Sequence, residues 1–152
     1  MDKAAWERIF VTRKQIVDLI STLTLDQINT IPKEFKNNIG WNFGHIIATQ
    51  QRLCYKNCDL PYTLPEAFID KYSKGTAPTE DISQEELNEI LRFSETSLAQ
   101  LQSDYESGLF KTYNAYKTSF GVMLSDIDRA IGFIPVHEGL HLGVCMSIKK
   151  LV

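Results

Sequence analysis

At 152 residues, with 43% hydrophobic and 23% charged residues, the chain has the make-up of a globular protein, one long enough to bury roughly two thirds of the surface its unfolded form exposes. A formal charge of −3, with no Lys/Arg cluster interleaved with aromatics, argues against a nucleic-acid partner. No stretch approaches the ~18 unbroken apolar residues of a membrane span, and the start, Met1 to Arg8, has no apolar leader core. The expectation is one domain over 1–152, cytoplasmic and without a membrane partner. Cys54, Cys58 and Cys145, an odd number with no CxxC pair, read as free thiols of a reducing compartment.

Trp6, Ile9, Phe10, Ile16, Val17, Ile20 and Leu23 recur on one face and predict helix one from Asp2 to about Leu23. Thr24-Leu25-Asp26-Gln27 has capping-box spacing and opens a short turn that must end before Pro32, with Lys33 to Asn37 as a polar linker. Asn37 and Asn38 offer N-caps for helix two, whose pattern of Ile39, Trp41, Phe43, Ile46, Ile47, Leu53 and Cys54 continues to about Asn57. Gly40 and Gly44, four apart, point to another backbone approaching closely.

Pro61, Pro65, Gly75 and Pro78 punctuate the long connection 58–82. It either crosses a bundle end to end, making helices two and three parallel, or covers a site, and a short helical turn fits Glu66 to Tyr72. Ser83-Gln84-Glu85-Glu86 is a second capping box and opens helix three, from Leu87 through Tyr105 to about Ser107, with Gly108 as its stop. Phe110, Tyr113, Tyr116 and Phe120 dot a polar loop without a period and read either as loop packing or as the rim of a pocket. The last helix opens at Ser125-Asp126-Ile127-Asp128 and runs to Lys150, with Pro135 predicted to bend it just before His137. Gly139 and Gly143 mirror Gly40 and Gly44, so the two pairs are expected to mark where helix two meets the last helix.

His137 and His141 lie one turn apart on the same face of the last helix, so both can reach one cation. His45, the remaining histidine of three, follows Trp41 by one turn on helix two and joins the pair if the two helices pack side by side. A lone histidine on an apolar helix is usually a core residue; here every histidine falls where two long helices are expected to meet. Three imidazole nitrogens leave coordination positions for water or substrate, as a catalytic site requires.

The same stretch satisfies H-E-x-x-H, the zinc-peptidase motif whose glutamate activates water. The eleven residues after His141 contain no His, Asp or Glu for the third ligand, and no sheet is expected to hold a peptide. The peptidase reading is therefore set aside. Glu138, one residue from His137, points well around the helix and reads as a supporting or interhelical group rather than the base, with a catalytic role as the alternative. Cys145 lies ~12 Å along the axis from His137, too far for a fourth ligand.

Asn38-Ile39-Gly40-Trp41-Asn42-Phe43-Gly44-His45-Ile46, Phe68-Ile69-Asp70-Lys71-Tyr72-Ser73-Lys74-Gly75-Thr76 and His137-Glu138-Gly139-Leu140-His141-Leu142-Gly143 together resemble the DinB/YfiT-like superfamily, over nearly the whole chain. The resemblance implies an all-α four-helix bundle with a long crossover between helices two and three, and one divalent metal on His45, His137 and His141. Its active members are metal-dependent thiol S-transferases or isomerases using a low-molecular-weight thiol such as mycothiol or bacillithiol; others are regarded as hydrolases, and dimers are common. The expectation is thus a metal-dependent transferase or hydrolase acting on a small electrophilic molecule, with Zn²⁺ or Ni²⁺ by ligand type. Trp41, Tyr113 and Tyr116 would line the pocket, Glu138 is the catalytic candidate, and a second copy of the chain is the expected partner. The alternative is a non-catalytic module that holds a metal or small ligand without turnover.

Overall fold

A computed structural model describes residues 3–152; Asp2, where helix one is expected to begin, lies outside the described residues. The helices follow as α1 (Lys3–Ile20), α2 (Leu25–Asn29), α3 (Ile39–Cys54), α4 (Glu66–Lys71), α5 (Gln84–Glu106) and α6 (Ile127–Ile148), and the fold is all-α. The capping residues act as their types dictate. Asn38 Oδ1 accepts the Trp41 amide at 2.7 Å, Ser83 Oγ that of Glu86 at 3.2 Å and Asp126 Oδ1 that of Arg129 at 2.8 Å. Thr24 and Gln27 form the reciprocal box that opens α2. After α3 a 3₁₀ turn, Lys56–Cys58, ends on Asp59 in the left-handed region at φ 56°, a conformation aspartate tolerates better than most residues.

Of the long helices, α3 packs on α5 and α6, and α1 packs on the same two, so the four close a ring around the core. The connection 58–82 is not a solvated linker. Leu64, Phe68, Ile69, Tyr72 and Ile82 are buried in it, forming a wall of the core beside α3, each large apolar side chain contributing about 1.5–3 kcal/mol.

This wall explains Gly40 and Gly44. A Cβ on Gly40 would meet Ile82 Cδ1 at 2.8 Å, and one on Gly44 would overlap the Tyr72 ring. Something does come close, but it is side chains, those of the connection foremost, and not the backbone of α6. A Cβ at Gly139 or Gly143 has nothing within 4 Å, so the expectation that the two glycine pairs face each other is corrected. Although α6 is long and apolar enough to cross a membrane by composition, one face of it is packed into the core. It runs unbroken through Pro135.

Inside the ring lies Arg13, on the apolar stripe of α1 and only 3% exposed. Its guanidinium reaches every other long helix. Nη1 donates to the Ser94 carbonyl on α5 at 3.0 Å, Nη2 to Gln50 Oε1 on α3 at 3.0 Å, and Nε and Nη2 to Glu138 Oε1 on α6, the former at 3.1 Å. Removing one partner of such a buried pair typically costs about 3–5 kcal/mol, because the other charge is left in a low-dielectric core.

The segment between α5 and α6, expected to be an irregular loop, contains a minimal hairpin: β1 (Tyr116–Lys117) antiparallel to β2 (Met123–Leu124), with Tyr116 opposite Leu124. Gly121, at φ 79°, turns it. Asn114 ties the segment to the 3₁₀ turn after α3, its amide donating to the Asn57 carbonyl at 2.6 Å and its Nδ2 to Asp59 Oδ1 at 2.9 Å.

Candidate metal centre

The packing of α3 on α6 brings the three histidines together. Ring centroids are 5.3 Å apart for His45 and His137, 4.9 Å for His45 and His141, and 4.6 Å for His137 and His141. One ligating nitrogen from each lies within 4.8 Å of the others, a spread that small side-chain rotations bring to bonding distance of one ion.

Hydrogen bonds decide which nitrogen two of the rings, His45 and His141, offer. His45 Nδ1 is 2.7 Å from the Tyr72 carbonyl, which can only accept, so Nδ1 carries the proton and Nε2 keeps its lone pair. Asn42 fixes His141 by the same logic. Its Nδ2 donates to the Asn38 carbonyl at 2.7 Å, which turns Oδ1 toward His141 Nδ1, also at 2.7 Å. That oxygen accepts from Nδ1–H and leaves Nε2 unprotonated. Trp41 stacks on the His45 ring, centroids 4.6 Å apart and planes 11° from parallel, while its indole Nε1 donates to Thr76 Oγ1 at 3.0 Å. Both α3 and the connection 58–82 therefore hold His45.

The imidazoles are kept neutral. Burial pulls His137 from 6.5 down to about 3, helped by the charges of His141, His45 and Arg13. His141 falls to about 4 through burial and then His45. His45 is lowered chiefly by burial, against the raising effect of its bond to Tyr72, and Lys74 lowers it further. Neutral imidazoles with oriented Nε2 lone pairs are the donor set of a divalent transition-metal site, and this group fits one. Among the described residues no fourth His, Cys, Asp or Glu joins the group.

Beside the histidines lies a cavity of about 360 Å³ whose wall includes His45, His137, Thr49, Tyr116 and Phe133, with Arg52, Lys56 and Lys74. The hairpin contributes Tyr116, Thr118 and Ser119 to it. Of the residues expected to line a pocket, Tyr116 does. Tyr113 does not: its hydroxyl accepts from Asn57 Nδ2 at 3.1 Å and it packs against the apolar cluster that includes Leu53, Leu124 and Ile131. Trp41 stands behind His45 and lines a separate cleft of about 200 Å³ with Lys71 and Thr76.

Glu138 is also corrected. It is 0% exposed and paired with Arg13 in the core, outside the cavity wall, so it cannot reach a substrate there. Burial raises its pKa and Arg13 opposes the rise. The neighbours of a helical residue point to different sides, and here His137 faces the centre while Glu138 faces α1. All three cysteines are free and buried, with Cys58 raised to about 11 and Cys145 to about 12 by burial, so they behave as apolar packing and not as nucleophiles.

Sequence reasoning missed Asn42, the Tyr72 carbonyl and the three cations. Asn42 carried a signal, an amide in a segment otherwise apolar three residues before His45. A backbone carbonyl carries none. No curated protein matches the chain. The DinB superfamily model matches residues 10–145, which include all three histidines and their supports, and the chain belongs to the DinB superfamily.

Proposed function

We propose that the protein is a metal-dependent enzyme of thiol S-transferase or hydrolase type, acting on a small electrophilic molecule. The observation that carries this reading is the triangle of neutral imidazoles, with two tautomers fixed by hydrogen bonds, set against a cavity and lacking a fourth protein ligand among the described residues. A structural site closes its coordination shell; a catalytic one leaves a position for a reactant.

His45, His137 and His141 would hold the ion, with zinc or nickel favoured by imidazole donors. When bound, such an ion lowers the pKa of a thiol or water toward 7 and polarises the electrophile. The chain supplies the rest. Asn42 and the Tyr72 carbonyl orient the rings, Trp41 braces His45, and Phe133 with the hairpin gives the cavity its far wall. Thr49 Oγ1, one turn after His45 on α3, lies 3.4 Å from His45 Nε2 and lines the same cavity. A low-molecular-weight thiol is the co-substrate in this reading, and a reducing compartment such as the cytoplasm fits three unpaired cysteines. The test is conjugation of small thiols to a model electrophile such as chlorodinitrobenzene, with and without chelator. Turnover that chelation abolishes and added zinc or nickel restores supports the proposal, and chelator-insensitive turnover defeats it.

The partner we propose is a second copy of the chain. Support comes from the outer stripe of α6, where Gly132, Val136, Gly139, Leu140, Gly143 and Met146 face away from the core. Val136, Leu140 and Met146 are each about half exposed, at 53%, 48% and 53%. The stripe continues onto Phe120, Val122 and Met123 of the hairpin segment. An apolar surface of this continuity is characteristic of an interface.

A further inference from the structure

The chain carries more acid than base, 19 Asp and Glu against 16 Lys and Arg, yet the cavity beside the histidines has the opposite character. Arg52, Lys56 and Lys74 line it, and none of its lining residues is acidic. Two of these cations are neighbours in the chain and the third comes from another segment. Arg52 lies in the last turn of α3, Lys56 opens the 3₁₀ turn that follows, and Lys74 belongs to the connection 58–82. None of the three makes an ion pair among the described residues. Arg52 is anchored, Nη1 donating to Ser73 Oγ at 3.2 Å, and that contact ties the end of α3 to the residue before Lys74.

All three side chains are exposed, so water and salt screen their mutual repulsion, yet with no counter-ion beside them they leave a net positive field at the cavity that draws in an anion. The imidazoles of His45 and His137 are on the same wall, so a molecule held by the cations presents another of its atoms to the metal group. Guanidinium and ammonium groups together match a carboxylate or phosphate oxygen pair.

We propose that this cavity selects a small organic anion, whose carboxylate or phosphate is held by Arg52, Lys56 and Lys74 while its reacting end faces His45 and His137. This rests on the reading of the histidines as a metal centre and adds to it the charge class of the reactant. The anion can be carried by the thiol or by the electrophile, and both present the same group to the same cations.

The test is calorimetric titration of the zinc-loaded protein with mercaptosuccinate and mercaptoethanol, an anionic and a neutral thiol. Succinate and succinamide are titrated into zinc-loaded and into metal-free protein. The comparison protein is the triple variant R52Q/K56Q/K74Q, which alters exposed side chains and no histidine. Anionic probes are expected to bind about tenfold or more tightly than their neutral counterparts, with the preference weakening as salt is raised. In the triple variant the preference falls to within about twofold while zinc content is unchanged. Preference for mercaptosuccinate with none for succinate assigns the anion to the thiol; preference for both assigns the site to either reactant. Equal binding of anionic and neutral probes, or a preference that survives the triple substitution, overturns the proposal. Failure of the metal reading is separate: zinc then fails to load on either protein, and the succinate and succinamide titrations of metal-free protein still decide whether the cavity selects anions.

Discussion

Asn42 Oδ1 stands 2.7 Å from His141 Nδ1, and the same amide gives its Nδ2 to the Asn38 carbonyl. One side chain thereby converts the N-terminal turn of α3 into a device that sets the tautomer of a histidine on α6. Replacing Asn42 by Ala removes the acceptor and frees the ring to rotate. Loss of such a supporting partner typically lowers metal affinity about 10- to 100-fold. Asn42→Asp keeps an acceptor for Nδ1–H and is expected to retain most of the affinity. Competition with a chromophoric chelator measures both, and equal affinity of Asn42→Ala and wild type contradicts the assignment.

The glycines separate two kinds of close packing. At Gly44 the Tyr72 ring occupies the space a Cβ needs, and the carbonyl of Tyr72 is the partner of His45. Gly44→Ala is expected to destabilise by about 1–3 kcal/mol, the usual cost of overpacking a core, and to weaken metal binding as well. Within the single chain Gly139→Ala has open space and sits in a helix, so in the monomeric Leu140→Glu/Met146→Glu background it should stabilise by about 0.5–1 kcal/mol through reduced chain entropy. Urea denaturation measures the pair. A stabilising Gly44→Ala would show that the connection does not pack as described.

Low imidazole pKa values make stability depend on pH. In the unfolded chain His137 and His141 take up protons near 6.5, whereas folding holds them neutral down to about 3 and 4. Between those limits the unfolded state binds more protons, so stability is complete above about 6.5 and declines as the pH falls toward 4. Chelator-treated wild type should therefore lose more stability between about pH 7.5 and 5 than His137→Gln/His141→Gln, whose amides do not titrate. Parallel losses in urea midpoint would mean that the imidazoles are not held neutral by the fold.

The outer stripe of α6 predicts a dimer that charge can dissociate. Leu140→Glu/Met146→Glu places two carboxylates on an exposed apolar surface without touching the core. Sedimentation should give twice the chain mass for wild type and the single-chain mass for the variant. A monomeric wild type, or a variant of unchanged mass, removes the interface from this face.

The helices were legible because their signals are local. Asn38, Ser83 and Asp126 cap as their side chains dictate, and the spacing of His137 and His141 survives any packing that keeps α6 intact. What the sequence hid was partnership. A glycine announces that something comes close without saying what, so Gly40 and Gly44 were assigned to α6 when Ile82 and Tyr72 fill the space. Arg13 follows Trp6 and Ile9 and precedes Ile16 and Ile20 on one stripe, an in-register cation that demanded a buried acid. Glu138 is that acid, in the interhelical role its position allows and not the catalytic one. The hairpin of Tyr116–Lys117 and Met123–Leu124 is too short for alternation to show.

Elemental analysis of tag-free protein tests the metal centre most directly, by plasma mass spectrometry on wild type and on His45→Ala, His137→Ala and His141→Ala. About one transition-metal ion per chain is expected in wild type, with the three variants each losing most of it while retaining their helical circular dichroism. Native protein without bound metal that cannot be loaded, or any single-histidine variant that keeps a full complement, contradicts the convergence of His45, His137 and His141 on one ion.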